Sequence, residues 1–182
     1  MRTIIKENPS NIVVMDVMSA LIENRVIFID GAITEELASD VIAQLRYLNA
    51  QNHNEIVVYI KSCGGNILDG LAIYDTAKLI ESPIRTVGMG CVASMACILM
   101  FMGEVRQGLK HSRYMLHEPA GGTEGKYSEM QITLEEIKIL RKELYDIIKE
   151  YITIENIEST LKDDTWYSAE EAKKCGILTE IL

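Results

Sequence analysis

The stretch RVIFIDGAITEELASDVIAQLRYLNAQNHNEIVVYIKS, Arg25–Ser62, decides the fold class. Its two ends, Arg25–Gly31 and Glu55–Ser62, are short apolar runs rich in β-branched residues and closed by Gly or Ser, the pattern of buried strands. Between them Thr34 has the character of an N-cap and Glu35 and Glu36 put acid in the first turn. Leu37, Val41, Ile42, Leu45 and Leu48 then recur on one helical face. Strand, helix, strand is the repeating unit of an α/β domain with a largely parallel sheet.

The alternation continues downstream. Asn66–Ile80 is expected to be helical and to stop before Ser82-Pro83, and Ile84–Gly90 to be a strand. A helix follows from near Ala93, and Arg113–Pro119 reads as a strand ending at the proline. Two Ser/Thr-x-x-Glu boxes predict later helix starts, Thr133 with Glu136 and Ser168 with Glu171. Gly176 is a natural stop for the second. The helix from Thr133 carries an apolar stripe of Leu134, Ile137, Leu144, Ile147, Ile148 and Tyr151, suited to core packing or to contact with a second copy.

Composition narrows the function classes. The 182 residues fit one domain with a sizeable core, with 48% hydrophobic and 25% charged residues. Acids outnumber Lys and Arg 27 to 18, a net charge of −9. A phosphate-binding surface needs clustered bases, so nucleic acid is not an expected partner. The most apolar segment, Cys91–Met102, is well short of the roughly 20 residues a bilayer-crossing helix takes, so no membrane role is expected. The first residues, MRTIIKENPS, lack the pattern of a secretory signal, which suggests a cytoplasmic protein with reduced thiols. Cys63, Cys91, Cys97 and Cys175 have no C-x-x-C spacing and no paired His, so neither a zinc site nor a redox motif is indicated.

Gly88–Met100, GMGCVASMACILM, holds one hydroxyl, Ser94, among small and apolar residues. Ser94 is either a tolerated small helix residue bonded back to a carbonyl, or a nucleophile whose neighbours must be small for backbone and substrate to approach. A nucleophilic serine needs a base, and the chain has 3 histidines. His53 and His111 lie in polar loop or turn contexts. His117 ends an apolar strand ahead of EPAGG, where α/β proteins bind ligands. Ser62–Asn66, SCGGN, is a strand-to-helix turn whose Gly64-Gly65 pair lets bare backbone approach a ligand. The Gly65 and Met95 N–H groups could together stabilise an oxyanion, or both turns could need glycine merely to be tight. Losing one such donor costs about 3–4 kcal/mol, by analogy with side-chain donors. Spacing does not choose an orienting acid among 27 candidates; Asp163-Asp164 precede a capped helix and could be simple turn acids.

Four blocks in order, Tyr59–Thr76 (YIKSCGGNILDGLAIYDT), Gly88–Gly103 (GMGCVASMACILMFMG), Ser112–Gly122 (SRYMLHEPAGG) and Asp163–Leu178 (DDTWYSAEEAKKCGIL), resemble the signature blocks of the Clp protease proteolytic subunit family. The resemblance runs from about Asp16 to the C-terminus. It implies an α/β Clp/crotonase-type fold, a spiral of ββα units in one domain over 1–182, with a protruding handle over about 123–151. It implies Ser94 as nucleophile, His117 as general base, Asp164 as the triad acid, and the Gly65 and Met95 N–H groups as oxyanion donors, with no metal or organic cofactor. It further implies self-assembly into rings, a heptamer or double heptamer, and cleavage of unfolded protein or peptide inside the chamber. A Clp-type AAA+ ATPase unfoldase is the implied partner, with Tyr59, Leu79 and Leu182 partly matching its docking groove.

Several positions depart from the family pattern. Cys63 replaces a proline before the Gly pair, and Glu118 replaces a glutamine after the histidine. Asp163, preceded by Lys162, replaces an arginine that pairs across the ring–ring interface, and residues 1–15 do not resemble the basic axial loop. Because these changes gather at partner surfaces, the related proteases that mature phage heads are an alternative reading. Two others are a crotonase-type acyl-CoA enzyme and a non-catalytic ring subunit.

Overall fold

The structure, a computed structural model, describes residues 3–8 and 11–182. β1 (Thr3–Asn8) and β2 (Asn11–Asp16) form an antiparallel hairpin. The divergent segment 1–15 falls on this hairpin, with Met1, Arg2, Pro9 and Ser10 outside the described residues. Asp16 then caps α1 (Val17–Glu23), its carboxylate accepting from the Met18 and Ser19 N–H groups.

The predicted strand–helix–strand unit forms as β3 (Val26–Asp30), α2 (Glu35–Gln51) and β4 (Ile56–Ser62). Thr34 caps α2 by accepting the Leu37 N–H. Val41, Leu45 and Leu48 are buried while Leu37 and Ile42 pack at the core's margin. Arg25 closes the unit by donating to the carbonyl oxygens of Leu48 and Asn54 at 3.0 and 2.7 Å, charge-assisted bonds that tie the strand start to the α2–β4 loop.

α3 (Ile67–Leu79) is capped by Asn66, and β5 (Ile84–Ala93) runs three residues past the expected end at Gly90. The extension has a cause in pairing. Arg85–Gly88 pair with β6 (Val105–Gly108), whereas Cys91–Ala93 pair with β7 (Arg113–Leu116). The strand changes partner at Gly90, whose φ of +62° is the left-handed conformation that glycine tolerates best. Between β5 and β6 lie α4 (Met95–Leu99) and a 3-10 turn over Met100–Met102, all buried.

α5 (Tyr127–Tyr151) begins upstream of the expected start at Thr133. Thr133 is internal, its hydroxyl donating to the Glu129 carbonyl oxygen at 3.1 Å, so its spacing to Glu136 is not a cap. The actual start is marked by Glu129, which accepts the Lys126 N–H. The apolar stripe divides. Leu144 and Ile148 are buried with Tyr145, whereas Tyr127, Ile132, Leu134 and Ile139 are exposed along the N-terminal half. α6 (Ile157–Thr160), β8 (Thr165–Ser168), α7 (Ala169–Cys175) and β9 (Glu180–Ile181) complete the chain. Ser168 and Glu171 form the predicted capping box, and Gly176 ends α7 at φ +102°.

β3, β4, β5, β6 and β9 lie side by side in that order and all parallel, and β8 adds antiparallel to β7. Helices α2 to α5 and α7 contribute to one continuous apolar core with these strands. Arg106 crosses behind it, donating to the carbonyl oxygens of Gly103, Gly176 and Ile177 and lying 5.0 Å from the Tyr151 ring centre. The architecture is the α/β fold expected, with a parallel sheet and seven helices among the described residues.

Candidate active site

Sheet register brings Ser94, His117 and Asp164 together. β5 and β7 are parallel with Ala93 opposite Met115, and the Ser94 N–H donates to the Met115 carbonyl oxygen at 2.8 Å. β7 and β8 are antiparallel with Leu116 opposite Thr165. One residue beyond each ladder end therefore faces the others: Ser94 after Ala93, His117 after Leu116, Asp164 before Thr165. Ser94 Oγ is 2.7 Å from His117 Nε2, and His117 Nδ1 is 3.5 Å from Asp164 Oδ1. The strand expected to reach Pro119 stops at Leu116 because β5 pairs with it only as far as Met115 and β8 only as far as Leu116. The Glu118 N–H then donates to the Leu161 carbonyl oxygen at 2.7 Å, holding the histidine against the loop that carries Asp164.

Ser94 is the residue on which the backbone turns. Its φ of +56° and ψ of −128° are unusual for a non-glycine residue, and such conformations cost about 1–3 kcal/mol. A sharp strand-to-helix turn of this kind lifts the hydroxyl out of the chain while the next N–H opens the helix. That N–H, on Met95, is one of the first-turn donors without an intrahelical acceptor.

The Gly64-Gly65 turn packs straight against it. A Cβ on Gly64 would lie 2.8 Å from both the Ala93 carbonyl oxygen and Ser94 Cβ, and Gly64 has φ +94°. A Cβ on Gly65 would collide with the Ile33 backbone. Ile33 N–H donates to the Gly64 carbonyl oxygen and Asn66 N–H donates to the Ile33 carbonyl oxygen, so Gly65 is clamped from both sides. The small residues around Ser94 thus permit direct backbone-to-backbone contact between two turns.

Ser94, Gly65, Met95 and His117 open on a cavity of about 300 Å³ whose far wall is Ile98, Met115, Leu144, Tyr145 and Ile148. The wall is apolar and the Ser–His pair lies at its polar end, the usual composition of a site that binds a small group in one orientation. Tyr145 and Arg141, from α5, were not distinguishable in the sequence. The helical period of Leu144 and Ile148 is the signal that marks this segment as inward-facing.

Of the other histidines, His53 is exposed, with Nδ1 3.1 Å from Asn49 Oδ1, and His111 is exposed in a turn, so neither reaches the cavity. Tyr59 is half-buried and stacked on Phe28 with ring centres 5.1 Å apart, while Leu79 and Leu182 are exposed; all three lie outside the cavity that Ser94 opens on. Among the described residues no group of three or more His, Cys, Asp and Glu side chains is arranged to hold a metal. No helix among them is long and apolar enough to cross a membrane.

Comparison with known proteins decides the family. A family model described as Clp protease matches residues 9–182. The chain belongs to the Clp protease family. It is 39% identical to an ATP-dependent Clp protease proteolytic subunit of Bacteroides fragilis, over 98% of this chain and 89% of the relative. It is 38% identical to the protein of the same name in Bacteroides thetaiotaomicron, over 98% and 84%. Similarity to the ATP-dependent Clp protease proteolytic subunit 1 of Salinibacter ruber is 38% over 92% of this chain and 74% of that one. The chain is thus a Clp-type peptidase by family.

Two departures of this Clp protease chain have structural consequences near the site. Glu118 is 3.3 Å from Arg141 Nε on α5, an ion pair that joins the loop after His117 to the helix lining the cavity. Asp163 is exposed, next to Asp164 on the same loop.

Proposed function

We propose that the chain is a serine endopeptidase acting through Ser94, His117 and Asp164. As the Ser94 oxygen attacks the scissile carbonyl carbon, its proton passes to His117 Nε2. Asp164 accepts from Nδ1–H and so holds the imidazole in the tautomer that leaves Nε2 free to take that proton. The carbonyl oxygen, now negative, is held by the N–H groups of Gly65 and Met95. Collapse of the tetrahedral intermediate breaks the C–N bond, the leaving amine taking the proton from His117. Water, deprotonated by the same imidazole, then releases the acyl group. The 2.7 Å contact between Ser94 Oγ and His117 Nε2, at the mouth of an apolar cavity, carries the reading.

The cavity wall favours a peptide with an apolar residue on the acyl side of the cut bond. Exposed apolar residues on the N-terminal half of α5 support work within a ring of identical subunits, heptameric or doubly so. The exposed Tyr127, Ile132, Leu134 and Ile139 are the residues that contact with another copy would cover. The relatives' name, ATP-dependent Clp protease proteolytic subunit, supports a partner that supplies the ATP dependence; the family resemblance adds an AAA+ unfoldase as that partner, unfolded chains as substrate, and Tyr59, Leu79 and Leu182 at the docking surface. Four free thiols favour the reducing cytoplasm.

The test is hydrolysis of a fluorogenic peptide by the purified chain and by its Ser94→Ala variant. Turnover by the chain and its loss in the variant, with secondary structure unchanged, are expected. Undiminished turnover in the variant would remove Ser94 from the chemistry.

A further inference from the structure

Cys63 and Cys91 come from different strands, yet Cys63 Sγ donates to Cys91 Sγ at 3.4 Å. Both are free thiols, Cys63 exposed and Cys91 half-buried. They line, with Asp30, Gly31, Lys61 and Gly64, a further cavity of about 290 Å³. Cys63 also lines the catalytic cavity, so one sulfur faces both spaces.

Their positions in the chain give the pair its meaning. Cys63 immediately precedes Gly64-Gly65, and Cys91 lies on the last segment of β5 before Ser94 and Met95. A bond between them would tie together the two turns on which the oxyanion donors are carried. A disulfide is about 2.05 Å long, so the sulfurs must approach by more than about 1 Å. Rotation of the two side chains can supply part of this approach; the rest falls on the turns, and Gly64, packed on Ala93 and Ser94 with no room for a Cβ, has no slack to absorb it. Displacements of about 1 Å in such groups can cost about a hundredfold in rate.

We propose that Cys63 and Cys91 form a reversible oxidation site for hydroperoxides, whose disulfide form displaces the Gly64-Gly65 turn and lowers peptidase activity. The loss of activity rests on the assignment of Ser94 and Gly65 above; the oxidation itself does not. The Cys63 thiolate attacks a peroxide oxygen, the O–O bond breaks, and a sulfenic acid and water or an alcohol result. The Cys91 sulfur attacks the Cys63 sulfur, gives up its proton, and the hydroxyl leaves as water. Two thiols and one hydroperoxide thus give one disulfide, one water and one water or alcohol. Burial, and next the neighbouring thiol, push the Cys91 thiol up to about 11, so the exposed Cys63 is the sulfur that meets the peroxide first. Two equivalents of a reducing thiol reverse the reaction.

The experiment treats the fully reduced, full-length protein with hydrogen peroxide and reads intact mass, peptide map and peptide hydrolysis together. The expected result is a loss of 2 hydrogens, a peptide joining Cys63 to Cys91, and a fall in kcat/KM of about tenfold to a hundredfold, as about 1 Å of misplacement predicts. Dithiothreitol should restore both mass and rate. Cys91→Ser should start at the unmodified rate, form no cross-link and show no thiol-reversible loss. Absence of the cross-link, a cross-linked protein of undiminished activity, or the same reversible loss in Cys91→Ser would each overturn the proposal. A reduced protein without peptidase activity would instead contradict the assignment of Ser94, and the peptide map would still decide whether the two sulfurs join.

Discussion

The two contacts of His117 are built differently. On its Ser94 side the distance is 2.7 Å, the backbone is fixed by the β5–β7 ladder, and glycine turns pack against it without intervening side chains. On its Asp164 side the distance is 3.5 Å, and the carboxylate sits on a loop with 64% of its side chain exposed. Ser94 and His117 are held by sheet and core. Asp164 is held by the end of an antiparallel ladder and a few local bonds, and its charge is screened by water. The chemistry should therefore depend on the first contact more steeply than on the second.

The largest effect is expected for His117→Ala. Removal of a triad serine or histidine alone costs about 10⁶ in kcat, because the members act as a unit. A double Ser94→Ala/His117→Ala variant should lose no more than either single one, as steady-state kinetics would reveal. Asp164→Asn ranks below this. In a buried triad the same change costs about 10⁴, and the exposure of Asp164 should make its loss smaller. A loss as large as that of His117→Ala would mean that the two sides are equally rigid.

Gly64→Ala probes the tight side from behind. A Cβ there meets the Ala93 carbonyl oxygen and Ser94 Cβ at 2.8 Å, so backbone must shift. Denaturant titration should show about 1–3 kcal/mol of destabilisation, and kcat/KM should fall about a hundredfold. Wild-type stability and rate would mean that the packing of the two turns is slack. The smallest effect belongs to Thr165→Val on the loose side. It removes the donation of the Thr165 hydroxyl to the Thr160 and Asp163 carbonyl oxygens and should cost about 1 kcal/mol. The rate should change only a few-fold, and a hundredfold loss would show that this hydroxyl sets the position of Asp164.

This contrast also explains what could be read from the sequence. Ser94 stands out because close backbone packing demands small neighbours, a local requirement that leaves a local mark. His117 follows an apolar strand, and the strand–helix alternation of Arg25–Ser62 needs only periodicity to be seen. Asp164 has no such mark: its place opposite His117 comes from the pairing of β7 with β8, and only resemblance to a family singles it out among 27 acids. The same reason hides the Cys63–Cys91 contact, which joins neighbouring strands. Thr133 does not open α5, because Thr-x-x-Glu fits a helix interior as well as a cap. Tyr145 lies beside, not on, the apolar stripe, so its place in the cavity wall emerges only when the helix is docked.

The most direct measurement is the rate at which a fluorophosphonate labels the chain, with the modified residue mapped by mass spectrometry. Ser94 should be the labelled side chain, at one equivalent per subunit, with the rate collapsing in His117→Ala and falling less in Asp164→Asn. Labelling elsewhere, or a Ser94 rate indifferent to His117, would contradict the claim that this imidazole activates this hydroxyl.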